Sequence, residues 1–79
     1  MPRFYFHVHN SVEIRDPEGV ELPSLTDARS EAVRAARALM ADDITAKGEI
    51  TLSHSITVEH EGGAPGFVLP FRTCVEIRP

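Results

Sequence analysis

Apolar residues recur at every second position from Phe4 to Val8, so Phe4, Phe6 and Val8 share one face of an extended segment and Arg3, Tyr5, His7 and His9 share the other. The pattern predicts a strand over Arg3 to His9. Asn10 and Ser11 offer a tight turn into Val12, Glu13, Ile14 and Arg15, whose alternation predicts a second strand antiparallel to the first. Asp16, Pro17, Glu18 and Gly19 form the next turn, because proline presets φ and glycine accepts a positive one. Val20 to Leu22 resumes extended backbone, and Pro23 keeps Leu22 out of a helix.

The period then changes from two to 3.6. Ser24 is placed to cap a helix, with Asp27 three residues on in a variant of the capping box. At 100° per residue, Ala28, Ala32, Ala36, Leu39 and Met40 fall within roughly 60° of Leu25 and define the buried stripe. Val33 and Ile44 widen one flank. Small alanines let the helix axis sit close to a sheet. Asp43 lies on the stripe near its end, so packing is expected to loosen there, and Gly48 is a C-terminal stop.

Beyond Gly48 the period returns to two: Ile50, Leu52, His54, Ile56, Val58 and His60 share one parity. A strand is predicted from about Ser55 to Glu61, with residues 49–54 as its approach. The run Glu61 to Gly66 is a turn, and Phe67, Leu69 and Phe71 continue into a second hairpin in which Pro70 marks a sheet edge or a strand end. Residues 72–79 are left unassigned. The expectation is a single α+β domain over residues 1–79, with an antiparallel sheet of three to four strands in ββαββ order on one long helix. One sheet face, carrying Tyr5, His7, His9 and Val68, would stay open, and such a face suits a dimer.

Composition narrows the function classes. A chain of 79 residues with 42% hydrophobic and 25% charged residues is that of a small globular domain. No apolar run approaches the ~20 residues of a membrane span, and Met1 to Asn10 lacks the apolar core of a secretory signal. With a single cysteine, Cys74, these features lead to an expected cytoplasmic location. A net charge of −4 with only eight scattered basic residues argues against nucleic acid, whose binding draws on Lys and Arg against phosphate.

His7 and His9 form an H-x-H pair whose rings can approach one metal ion, with Cys74 or Glu13 as a third ligand; metal binding is therefore the alternative function. The competing account leaves both histidines solvated beside Tyr5. Arg29, Arg34 and Arg37 are interleaved with Asp27, Glu31 and Asp42, a solvated face of mixed sign. No serine lies in a G-x-S-x-G elbow, and Gly62, Gly63 and Gly66 precede a strand rather than a helix, which excludes a phosphate cradle. No catalytic residue, metal ligand set or cofactor is assigned.

MPRFYFHVHN, DPEGVELPSL, TDARSEAVRAAR and VLPFRTCVEI together resemble a family of very short bacterial proteins classed only as a domain of unknown function, with MPRYYFH at the start, D-x-x-G-x-E-L-P before the helix and A-R-x-E-A within it. The resemblance spans most of the chain and implies no chemistry. The expected role is a small non-catalytic interaction or regulatory module that self-associates, with Tyr5, His7, His9 and Arg29 as the candidate interaction surface. An unidentified protein is the other partner considered, and nucleic-acid binding the second alternative function.

Overall fold

Strand β1 (Arg3–His9) forms where the alternation predicts it and lies inside an antiparallel sheet in the computed structural model, which describes residues 1–79. On one side it pairs with β4 (Ser55–His60) from Phe4↔His60 to His9↔Ser55. Its outer side is shared by two short strands, β2 (Glu13–Ile14) opposite Val8 and His9, and β3 (Val20–Glu21) opposite Arg3 and Phe4. Strand β5 (Phe67–Pro70) completes the sheet on β4. The sheet thus has five strands, in the order β2-β1-β4-β5 with β3 also on β1, where three or four were expected. The added strand is the extended segment after Gly19, which returns to β1 beyond the loop.

The first hairpin also differs from the expected tight turn. Asn10 to Val12 forms a three-residue connection in which the Val12 N–H donates to Asn10 Oδ1 at 3.1 Å, and only Glu13 and Ile14 pair. Between the β2 and β3 pairings the outer strand carries two more residues than β1, so Arg15 to Gly19 must bulge away from the ladder.

Helix α1 (Leu25–Lys47) has the predicted caps. The Asp27 N–H donates to Ser24 Oγ at 3.3 Å, that hydroxyl donates to Asp27 Oδ2 at 2.7 Å, and Gly48 turns left-handed at φ 68° to end the helix. Ala28, Ala32, Ala36 and Met40 are buried against the sheet. Leu25 and Ile44 are not: they are 45% and 53% exposed. At 1.5 Å per residue the helix is about 35 Å long, whereas a seven-residue strand reaches about 23 Å, so both helix ends overrun the sheet.

Phe4, Ile56, Val58, Leu69 and Phe71 fill the core between sheet and helix. Residues 49–54 form no strand, though Ile50 and Leu52 pack on the core. After Pro70 the chain makes a 3-10 turn at Phe71–Thr73, tucks Cys74 beneath α1, and is fixed there by Arg37 Nε donating to the Cys74 carbonyl at 2.7 Å. The Phe71 N–H donates back to His54 O at 2.8 Å. Since alternate residues of a strand address opposite edges, the nitrogen of Pro70, which carries no hydrogen, faces outward and blunts the β5 edge.

Gly66 lies against β4 so closely that an added Cβ would stand 1.8 Å from the Val58 carbonyl oxygen. Gly66→Ala is expected to lower stability by about 1–3 kcal/mol, the scale of overpacking, and each kcal/mol lowers the midpoint of a domain this small by about 4–8 °C. Thermal denaturation followed by circular dichroism tests this; an unchanged midpoint would contradict the close approach.

Candidate functional site

The sheet face opposite α1 gathers the odd-numbered residues of β1 and β4. Tyr5 pairs with Glu59, His7 with Thr57 and His9 with Ser55, and the side chains then reach diagonally. His7 Nε2 lies 2.8 Å from Glu59 Oε1, and His9 Nε2 lies 2.9 Å from Thr57 Oγ1. The Tyr5 and His7 rings are stacked at 6.4 Å with planes 4° apart.

His7 is not the solvated histidine that the alternation suggests: it is 4% exposed. The loop Arg15 to Gly19 explains the burial. The Asp16 N–H donates to His7 Nδ1 at 3.1 Å, so Nδ1 carries no proton and Nε2–H donates to Glu59. Both ring nitrogens are therefore engaged. The Asp16 side chain performs a second task, accepting from the Phe6 N–H at 3.2 Å in the gap between β2 and β3, and from Glu18 N–H and Gly19 N–H at 3.2 and 3.0 Å. Gly19, at φ 70°, lets the loop close: a Cβ there would stand 2.8 Å from Phe4 O and 2.9 Å from Arg3 Cγ. Arg3 holds the far end of the loop, donating to Glu18 O at 2.7 Å and pairing with Glu21 at 3.1 Å.

His9 lies at the other end of this face. Its Nδ1 stands 3.5 Å from Glu13 Oε1, and Arg15 joins the group at 2.9 Å from Glu13 and 3.9 Å from Glu59. His9, Arg15, Thr57, Glu59 and Val68 border a shallow concavity of about 610 Å³. Burial works against the Asp16 carboxylate, yet the N–H donors of Gly19, Phe6 and Glu18 hold its pKa below the usual range. The hydrogen bond from Arg15 does the same for Glu13.

Of the residues singled out from sequence, Tyr5, His7 and His9 meet on this face and Glu13 joins His9. Arg29 does not: its guanidinium sits 4.7 Å from the centre of the Phe67 ring, on the helix side of the sheet. Cys74, considered as a third metal ligand, is buried in the core beneath α1, across the sheet from His7 and His9. No three His, Cys, Asp or Glu side chains converge on a common point. The sequence pattern does not single out Asp16, Arg15, Thr57 and Glu59 as parts of this face. Only Asp16 carried a local signal, as the first residue of an Asx-type turn before Pro and Gly.

A family model described as Domain of unknown function (DUF6894) matches residues 3–72. The chain belongs to the DUF6894 family. No curated protein and no solved structure matches it. In this DUF6894 chain segments distant in sequence are joined in space: Arg3 and His7 hold Glu18, Glu21 and Asp16, while Ala28 and Ala32 lie buried on the sheet.

Asp16→Asn is expected to cost about 1–3 kcal/mol at pH 7, the scale of breaking hydrogen bonds to a charged group. Because the folded-state pKa of Asp16 is lowered, its stabilisation is present above the unfolded value near ~3.9 and is lost as pH falls through the folded one. The gap between variant and wild type in urea midpoint should thus narrow as pH is lowered from about 4; a constant gap would contradict the role given to the charge. His7→Ala should speed hydrogen exchange at the Asp16 amide, read by NMR, while leaving the Gly48 amide at the far end of α1 unchanged.

Proposed function

We propose that this DUF6894 chain is a small non-catalytic interaction module that works as a homodimer in the cytoplasm. The observation that carries the reading is surface left unused. The chain exposes 5248 Å², about a tenth more than the roughly 4,700 Å² expected for a folded monomer of its mass. Only 11 of 79 residues are buried. Its body is a slab of 41 × 24 × 17 Å, one helix on one sheet, with a radius of gyration of 13.0 Å against the roughly 11.6 Å of a typical domain of this length. A second layer would supply the burial that the single chain lacks.

The polar face supports a non-catalytic reading on chemical grounds. Thr57 and His9 make a hydroxyl–imidazole pair, but backbone N–H groups of a sheet lie in its plane and not toward its face, so no oxyanion site stands beside that hydroxyl. The ionised groups neutralise one another, Glu13 and Glu59 against Arg15, while His7 is held as a neutral imidazole between Glu59 and the Asp16 N–H. A cytoplasmic setting suits a chain whose one cysteine is a free, buried thiol. No helix is long and apolar enough to cross a membrane.

Light scattering after size exclusion, over a tenfold concentration range of metal-stripped protein, tests the dimer. A mass of twice 8.7 kDa is expected; a mass of one chain throughout would overturn the reading.

A further inference from the structure

We propose that the Arg15–Gly19 loop is a proton-sensitive latch, closed while His7 is neutral and released when its ring becomes an imidazolium. Hydrogen-bond geometry carries the proposal. His7 is 4% exposed and meets two partners of opposite kind: the Glu59 carboxylate, an acceptor 2.8 Å from Nε2, and the Asp16 N–H, a donor 3.1 Å from Nδ1. A neutral imidazole with its proton on Nε2 satisfies both. An imidazolium carries a proton on each nitrogen, so it keeps Glu59 and sets one N–H against another at Asp16. The backbone amide has no second protonation state with which to answer. The Asp16 carboxylate, which accepts from the Phe6 N–H, is also a stronger partner for a charged Nδ1–H than for that amide. Whether the loop swings out or the carboxylate turns to the ring, the Asp16 N–H loses its acceptor, and the group that closes the gap between β2 and β3 moves.

The charges around the ring draw a proton in. Facing it are the carboxylates of Glu59 on β4, Asp16 in the loop and Glu13 on β2, against the single guanidinium of Arg15. Tyr5 is stacked on the ring, His9 follows on the same strand face, and Arg3 and Glu21, paired with each other, stand at the far end of the loop. The helix lies across the sheet and brings no charge to this side. His9 has no such conflict: the Thr57 hydroxyl turns to accept from its Nε2–H and Glu13 accepts at Nδ1, so it takes a proton without losing a bond. Asp16 and Glu13, held below the usual carboxylate range, keep their charge where a histidine responds. The latch goes beyond the dimer reading and holds for one chain or two.

Amide hydrogen exchange by NMR from about pH 8 to about pH 5, the range in which histidine changes charge, tests the latch. A release that takes up one proton multiplies the open population about tenfold for each unit of pH. The exchange rate of the Asp16 amide divided by that of the Gly48 amide, a ratio that removes the base catalysis common to both, is therefore expected to rise about tenfold per unit as pH falls, until the open form dominates. His7→Asn puts an acceptor near the place of Nδ1 that takes up no proton, and its ratio is expected to stay flat. A rise as steep as in wild type would put the proton on another group and overturn the latch. Should that variant fail to fold, by circular dichroism, the wild type decides through the nitrogen shifts of the His7 ring. A ratio that climbs as the ring gains its proton supports the latch; a ratio that stays constant meanwhile, or a ring that stays neutral until the whole chain unfolds, overturns it.

Discussion

One carboxylate holds the outer half of the sheet together. Strand β1 needs partners along its whole outer edge, but the chain supplies only two pairs of residues, Glu13–Ile14 and Val20–Glu21, with Phe6 stranded between them. Two-residue strands have no stability of their own. Asp16 spans the gap by accepting the Phe6 N–H and the N–H groups of its own turn, while its backbone N–H goes to His7. Through His7 the tie continues to Glu59 on β4. The outer loop, the edge of β1 and the neighbouring strand thus depend on one another, and loss of the Asp16 charge loosens the connection at its centre.

The second constraint is size. A single helix must close one side of a sheet four strands wide, and it does so with alanines, which bring the backbones close but bury little area each. Larger side chains on the stripe would cover more sheet at the cost of lifting the helix from it. The close approach concentrates the core under β4, where Ile56 and Val58 are buried, and starves the outer strands, where Ile14 and Val20 stand in the open. The exposure of Ile14 and Val20 therefore follows from the alanine stripe.

Much of the frame was legible in the residues because its causes are local. Ser24, Asp27 and Gly48 bound the helix through contacts within a few positions, and the parity of Phe4, Phe6 and Val8 follows from the pleat of a strand. What failed to show was set at a distance. Parity places His7 on the polar face but cannot say that a loop nine residues on will fold over it. The same distance hides the exposure of Ile14 and Val20: the pattern shows which positions are apolar, whereas where the helix comes to rest decides which of them remain uncovered. Arg29 reads from sequence as a companion of Tyr5, His7 and His9, and the fold puts a sheet between them.

These two classes of residue bear differently on function. The match to the DUF6894 family runs from Arg3 to Arg72 and so takes in every strand and the helix, with the joints of the fold inside it: the Arg3 clamp, the Asp16 bridge and the Ala28–Ala32 contact. Joints of this kind specify how the chain folds and say nothing of what it meets. His7 illustrates the point, since the most reactive-looking side chain of the β1 segment spends both nitrogens on holding the loop. Ile14 and Val20 differ from these joints: they pair with Val8 and Phe4 in the ladder, while their side chains stay outside the core and outside the ion pairs.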